Sequence, residues 1–242
     1  MAKKKKKRLK LNRVIFAIIL VIALIMGVYN GARITIQWLS SIFFGNDFIE
    51  EVTGPVIGTV VLDAGHGGSD VGCSNGDIYE KDINLRYAKE IGNYLMQHGV
   101  NVIYTRKDDV RLGNEQNADL RARCDVSKQK NIDYFISIHV NSHETKTDVS
   151  GFEIYYLNNN EHSYTLATNV SNAMEEIDYS KNRGVLEGKS LYVIRNNSVP
   201  PILIELGYIK GNDIDYLLSD SKTEKLSKSI AEGIIKTIKE KE

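Results

Sequence analysis

The sequence has little cysteine and lacks several common catalytic motifs. Cys73 and Cys124 are its two cysteines, too few for a disulfide framework. One bridge between them is conceivable outside the cytoplasm, but we expect two small buried thiols. The glycine-rich stretch 65–72 is not G-x-G-x-x-G, because Asp70 stands at the third glycine position, and it is not G-x-S-x-G, because Val71 follows Asp70. A P-loop lysine is missing too, so nucleotide-binding and serine-hydrolase sites are excluded.

The first 33 positions contain no acidic residue, so the net charge of the whole chain differs from the net charge of the remaining residues. The net charge of zero comes from 31 basic and 31 acidic residues, and nine of the basic ones lie at or before Arg33. Residues 34–242 therefore carry 22 basic against 31 acidic residues, a net charge of −9. This part of the chain has no electrostatic footprint for nucleic acid, so we expect no nucleic-acid partner.

One long stretch without charge follows a basic tail. Residues 3–13 hold eight lysines or arginines, and residues 14–32 run for nineteen positions without a charged side chain. This pattern predicts an N-terminal transmembrane helix with its basic flank in the cytoplasm and the rest of the chain outside. A cleaved signal peptide is the alternative and would give a secreted protein, but Tyr29 and Asn30 stand where its cleavage site requires a small residue. We expect a tail and anchor at 1–33, a juxtamembrane linker at 34–54 and one globular domain at 55–242.

Hydrophobic periodicity within 55–242 alternates between strand and helix patterns. Strands are predicted at 57–62, 100–105, 134–140, 152–157 and 202–206, and helices at 80–98, 114–130, 164–177, 214–218 and 226–238. The segment 183–197 has no clear pattern. This order predicts an α/β fold with helices on both faces of a sheet whose central strands are parallel.

Three strand-like runs lead to polar side chains. The first is followed by His66 in a glycine-rich turn, and the others contain His139 and Glu205 near their ends. The carboxyl ends of parallel strands share one rim, where ligands of α/β proteins bind. Two histidines and a carboxylate would meet the needs of a catalytic zinc site, and Glu80, after the glycine loop, is the best carboxylate candidate.

Each of these residues also has an ordinary interpretation. His66 could be a turn histidine, His139 a core histidine bonded to the backbone, and Glu205 a solvent-facing strand residue. Glu80 could complete a capping box with Asp77 as N-cap, and the residues alone leave this alternative open. If Glu205 is not a ligand, it can act as the general base on the attacking water and then as proton donor to the leaving amine of an amide.

Several motifs together carry a resemblance to a known family. They occur in the order LDAGHGGSDVG (62–72), EKDINL (80–85), Thr105-Arg106 with Asp108, ISIHVNS (136–142), GFEIYY (151–156) and ILIELGYI (202–209). This set resembles the zinc-dependent N-acetylmuramoyl-L-alanine amidases of the Amidase_3 family over about 57–239. The chain departs from the family pattern at Cys124 and Asp125, where an Ala-Asn pair is usual.

The resemblance implies a three-layer αβα sandwich around a mostly parallel sheet and cleavage of the amide between N-acetylmuramic acid and L-alanine in peptidoglycan. It implies that His66, Glu80 and His139 hold Zn²⁺ and that Glu205 is catalytic. A short chain with one anchor and no wall-binding repeats is similar to the spore-cortex amidases of this family, which take part in forming muramic δ-lactam for germination. It also leaves room for an accessory or activator protein.

Two other functions compete with this interpretation. A zinc peptidase acting on stem peptides of the wall would cut a different bond. A non-catalytic wall-binding module would keep the fold, but such a module would be expected to lose Glu205 first.

Overall fold

The strands of the central sheet come from short apolar runs rich in valine and isoleucine. A computed structural model describes residues 55–146 and 148–241. The strands are β1 (Gly58–Ala64), β2 (Ser74–Asn75), β3 (Ile78–Tyr79), β4 (Val100–Tyr104), β5 (Tyr134–Asn141), β6 (Phe152–Tyr156), β7 (Asn182–Glu187) and β8 (Pro201–Tyr208). The helices are α1 (Glu80–Gln97), α2 (Gln116–Val126), α3 (Glu161–Glu176), α4 (Tyr192–Arg195), α5 (Ile214–Leu218) and α6 (Asp220–Glu240). This confirms the predicted α/β fold.

Six of the strands form one mixed, mostly parallel sheet in the order β4-β1-β5-β8-β6-β7. Neighbours are parallel, except that β6 runs antiparallel to β8. The carboxyl ends of β1, β5 and β8 therefore lie at one rim of the sheet, and β6 begins at the same rim. The rim predicted from the sequence exists, with β6 as an additional contributor.

Each face of the sheet has its own hydrophobic core, as the αβα prediction requires. The larger core packs α1, α3 and α6 against side chains such as Leu62, Ile138 and Ile204. The smaller core covers part of the opposite face with Cys124 of α2 and Val193 and Ile194 of α4. Cys73 and Cys124 are both free thiols, as predicted, but only Cys124 is buried, and Cys73 is partly exposed.

Helix α1 follows its sequence signals closely. Its buried residues include Ile83, Tyr87, Ile91 and Leu95, which lie at helical spacing. The helix ends before Gly99, whose φ of 83° is a left-handed conformation that suits the end of a helix.

Other boundaries differ from the predictions because the apolar signal was weak there. Helix α6 starts at Asp220 instead of 226, since its first turns bury Thr223, a small polar residue, among charged neighbours. The unassigned segment 183–197 holds most of strand β7 and all of helix α4; β7 is an edge strand, and none of its residues is buried.

The expected plain loop before α1 contains the hairpin of β2 and β3. Its turn begins with Gly76 at φ 59°, after Asn75. The two-residue turn is Gly76-Asp77, and Gly-Asp is a hairpin signal, but these strands have two residues each and leave no periodic pattern.

The predicted transmembrane helix and juxtamembrane linker lie outside the described residues. Among the helices of 55–146 and 148–241, none is both long and apolar enough to cross a membrane.

A buried ion pair fixes the end of β1. Asp63 is fully buried and accepts hydrogen bonds from Thr105 at 2.7 Å, Ser137 at 2.7 Å and Arg123 at 2.8 Å. Burial alone would raise the pKa of Asp63, but Arg123 and the two hydroxyls outweigh it and hold this pKa below its ordinary value. Arg123 also donates to the backbone carbonyls of Ala64 and His66. The turn after β1 is thereby tied to helix α2.

We expect Asp63→Asn to lower the free energy of unfolding by about 3 kcal/mol, since it removes one of the two carboxylates that pair with the buried guanidinium of Arg123, Asp119 being the other. Because the folded-state pKa of Asp63 is lowered, this stabilisation is present above pH of about 4 and is lost as the pH falls through the folded-state pKa. Urea unfolding of the full chain measures it. Asp125→Asn is the control, because Asp125 is 52% exposed, and equal effects of both changes would contradict the role of the pair.

Candidate metal centre

The glycine-rich turn after β1 presents His66 at the rim. His66 adopts a left-handed φ of 62°, which is uncommon for a residue other than glycine. Arg123 binds its carbonyl at 2.8 Å, and Arg106 donates to the carbonyls of Ala64 at 2.9 Å and Gly65 at 3.0 Å. Two buried guanidinium groups thus hold the backbone of this turn and compensate its strain.

Glu80 is the first residue of α1, and its carboxylate turns toward this rim. Its Oε2 accepts from the backbone N–H of Cys73 at 2.9 Å, and its Oε1 accepts from Val140 N at 3.2 Å. The alternative capping box with Asp77 is wrong: Tyr79 is the N-cap, and it makes no side-chain capping bond. The hairpin ends immediately before the helix, so Asp77 belongs to the hairpin turn.

The structure brings His66, Glu80 and His139 together. Glu80 Oε1 lies 3.3 Å from His66 Nε2 and 2.9 Å from His139 Nδ1. One ligand atom from each of the three residues fits within 4.8 Å of the other two. The two imidazole rings meet edge to face, with centroids 5.1 Å apart.

Two glycines leave the room that this cluster needs. A Cβ on Gly65 would lie 2.3 Å from the His139 ring, and a Cβ on Gly72 would lie 2.5 Å from Glu80 Oε2. Both distances are far below van der Waals contact. Alanine at either position would therefore displace a member of the cluster.

The charges within the cluster stabilise one another. Burial alone would lower the pKa of His66, but Glu80 and Asp70 raise it to about 9, and Asp70 Oδ1 lies 3.0 Å from His66 Nδ1. Burial alone would raise the pKa of Glu80, but its hydrogen bonds with His139 and His66 bring it well below its ordinary value. Glu80 is therefore a carboxylate at neutral pH, as a metal ligand must be.

Glu205 lies beside this cluster, inside its strand and not at the end. Strand β8 continues to Tyr208, and β5 continues past His139 to Asn141. Glu205 is paired in register with His139. Its Oε2 is buried, and no hydrogen-bond partner for it lies in the described part of the chain. Burial raises the pKa of Glu205 to about 7, and the charges of Glu80 and Glu153 add to this effect although His139 opposes it.

Sequence analysis missed three residues that support these groups. Asp63 anchors the turn, Asn84 donates to Glu80 Oε1 at 3.3 Å, and Glu153 stands in register with Glu205 on β6. A carboxylate inside the apolar run of β1 was the available signal for Asp63. Asn84 lies one helical turn after Glu80, and this spacing alone does not predict that Asn84 supports the site.

The donor set of this cluster fits zinc. Two imidazole nitrogens and one carboxylate are a common set of three protein ligands in catalytic zinc sites, which leave one position open. Glu205, with its unpartnered buried oxygen, provides a base next to that position without belonging to the three.

We expect Gly65→Ala to lower the affinity of the full chain for zinc by about 10- to 100-fold, because the new Cβ pushes His139 out of place. Competition with a chromophoric chelator measures this affinity. Gly76→Ala is the matched control, since nothing lies within 4 Å of its Cβ, although its φ of 59° makes alanine strained there. Unchanged zinc affinity in a folded Gly65→Ala variant would remove His139 from the site.

A family model and a curated relative match most of this chain. Residues 60–236 match the Amidase_3 family model, which describes N-acetylmuramoyl-L-alanine amidases. The germination-specific N-acetylmuramoyl-L-alanine amidase of Bacillus subtilis is 29% identical over 209 residues, which are 82% of this chain and 88% of that protein.

Solved structures of similar proteins share the fold. The amidase AmiC2 of Nostoc punctiforme superposes with a TM-score of 0.68 at 36% identity, covering 77% of this chain and 99% of that one. The CwlD amidase of Clostridioides difficile, solved in complex with the GerS lipoprotein, gives a TM-score of 0.70 at 30% identity, covering 75% of this chain and 98% of that one. The chain therefore belongs to the Amidase_3 family and is an N-acetylmuramoyl-L-alanine amidase.

Proposed function

We propose that this amidase is zinc-dependent and acts in the spore cortex, where cleavage between N-acetylmuramic acid and L-alanine precedes formation of the muramic δ-lactam needed for germination. The observation that carries the catalytic part is the buried, unpartnered Oε2 of Glu205 beside His66, Glu80 and His139. The similarity to the germination-specific amidase of Bacillus subtilis supports the cellular role.

In the proposed mechanism, His66, Glu80 and His139 hold the metal and Glu205 moves the proton. When bound at such a site, zinc polarises a carbonyl and lowers the pKa of a water molecule to about 7. Glu205 takes the proton of the attacking water on one oxygen and then gives it to the leaving amine of L-alanine. Its pKa, raised to about 7, suits both transfers at neutral pH, because a base and acid works best when its pKa is near the ambient pH.

Other groups orient Glu80 among these four residues. Asn84 and the N–H groups of Cys73 and Val140 fix both oxygens of Glu80.

The alternative functions, a zinc peptidase or a non-catalytic module, have no observation that favours them over the amidase.

We expect Glu205→Gln to retain zinc and to slow peptidoglycan hydrolysis by about 10² or more, because the amide cannot accept a proton. Mass spectrometry of peptidoglycan incubated with the zinc-loaded full chain measures free stem peptides that begin with L-alanine. Glu224→Gln on the exposed side of α6 is the control.

A chelator added to the wild-type reaction tests the metal. Release of stem peptides that continues in chelator would overturn zinc dependence. Turnover by Glu205→Gln equal to that of the control would remove Glu205 from the mechanism, and products cut inside the stem peptide would favour the peptidase.

The domain arrangement is also proposed, with a basic tail and membrane anchor at 1–33, a linker at 34–54 and the catalytic domain at 55–242. Family membership gives the domain a substrate in the cell wall, which supports an extracytoplasmic location. Retention by the anchor is proposed over secretion, since the sequence shows no good cleavage site after 14–32.

An accessory protein is proposed because the similar CwlD amidase was solved in complex with a lipoprotein. We expect the full chain to elute earlier in gel filtration when it is mixed with a sporulation lipoprotein from the organism that produces it. A shift with one lipoprotein and not with others is the expected outcome, and the absence of a complex with every candidate would count against a partner.

A further inference from the structure

A row of charged side chains crosses the sheet from the metal centre to its edge. His139 on β5 is in register with Glu205 on β8, and Glu205 is in register with Glu153 on β6. Arg183 on edge strand β7 follows, since its Nε donates to Glu153 Oε1 at 2.6 Å. Register partners face the same side of a sheet, so the row lies on one face.

Helices cover this face incompletely. The neighbours of the row, such as Ile138 and Ile204, point into the larger core. The row therefore lies on the opposite face, where the smaller core of α2 and α4 is the covering layer. This leaves the side chain of Arg183 35% exposed, whereas that of Glu153 is 9% exposed.

Arg183 is held in one position by several contacts. Its guanidinium stacks over the Tyr208 ring at 5.4 Å from the centroid, and the Tyr208 hydroxyl donates to the same oxygen of Glu153 at 3.2 Å. Its Nη1 donates to Ser150 O at 3.3 Å. A Cβ on Gly151 would lie 2.6 Å from its aliphatic chain, so glycine leaves the space that Arg183 fills.

The exposed end of Arg183 lines a polar groove of about 380 Å³. Lys146, Lys181 and Asp148 line the same groove together with His143. These two lysines and Arg183 face Asp148 in the groove and Glu153 behind Arg183, which leaves a locally positive site in a part of the chain whose net charge is −9. A guanidinium held in place, with two lysines in the same groove, is suited to binding a carboxylate, because guanidinium and carboxylate form paired hydrogen bonds.

We propose that Arg183, with Lys181 and Lys146, binds a carboxylate of the stem peptide and so selects which stem peptides are released. This inference rests on the proposed function of the metal centre. Glu205 and Arg183 are two strand spacings apart, roughly 10 Å, which an extended peptide spans with about three residues. The glycan side of the scissile amide has no carboxylate, because the lactyl carboxyl of muramic acid is itself in that amide.

The test compares two matched ligands, a muramoyl pentapeptide with free side-chain and α-carboxylates and its twin with these groups as carboxamides. Their dissociation constants are measured by titration calorimetry with zinc-loaded full chain carrying Glu205→Gln, so that the ligands stay intact. Arg183→Gln is added in this background, and Lys189→Gln, at a 69% exposed position outside the groove, is the control.

We expect Arg183→Gln to raise the dissociation constant of the carboxylate peptide by about 10-fold or more, since a charge-assisted hydrogen bond is lost. Binding of the carboxamide peptide should stay unchanged, and Lys189→Gln should affect neither ligand. Equal losses for both peptides in a folded variant, or no loss for the carboxylate peptide, would overturn the proposal.

If Arg183→Gln fails to fold, the same comparison is made with Lys181→Gln. A smaller loss of affinity, confined to the carboxylate peptide, is then the supporting result. Hydrolysis by the wild-type chain is measured in parallel. No turnover of either peptide refutes the proposed reaction, whereas the binding difference tests the carboxylate site by itself.

Discussion

A fully buried carboxylate in an interior strand needs charge compensation, and in this protein that need organises the functional rim. Asp63 has a relative exposure of 0% and meets Arg123 from helix α2. The same guanidinium also donates hydrogen bonds to the carbonyls of Ala64 and His66. The group that compensates the charge of Asp63 therefore also fixes the turn that carries His66, a candidate metal ligand. Arg106 adds a second hold on the same turn.

The candidate metal centre depends on two glycines as much as on the side chains of its three candidate ligands. His66 and His139 approach one oxygen of Glu80 because Gly65 and Gly72 place no Cβ between them. The backbone N–H groups of Cys73 and Val140 orient the carboxylate. Glu205 stays outside this set, close enough to interact with its charges and buried enough to keep a pKa near 7. The three candidate ligands and Glu205 thus have different environments, as the proposed mechanism requires.

The sequence predicted the sheet and its cluster because both depend on local patterns. Apolar runs gave strands β1, β5 and β8, helical spacing gave α1, and the glycine-rich turn pointed to His66. It could not rank Glu80 against a capping residue, since the direction of that carboxylate depends on the hairpin of β2 and β3 and on β5, more than fifty residues away.

Residues that act across strands were beyond sequence analysis for the same reason. Glu153 and Arg183 are thirty residues apart and meet because β6 and β7 pair in parallel. Strand β7 has no buried apolar run, so its sequence shows no alternation of apolar and polar residues from which a strand could be predicted. The role of Arg123 depends on a carboxylate sixty residues earlier in the chain, which spacing alone does not reveal.

The reversed direction of β6 has a consequence for how this enzyme can change over evolution. Since β6 runs antiparallel to β8, the connection that leaves β5 enters β6 at the catalytic rim without crossing the sheet. The described residues of 142–151 form no strand, and several of them, such as His143 and Ser150, line the groove that also contains Arg183. Substitutions of exposed side chains there change the charge of the groove without changing the strand register that aligns His139 with Glu205. The backbone of the segment is more constrained, because Val149 O and Gly151 N are hydrogen-bonded to Asn212 and Asp213.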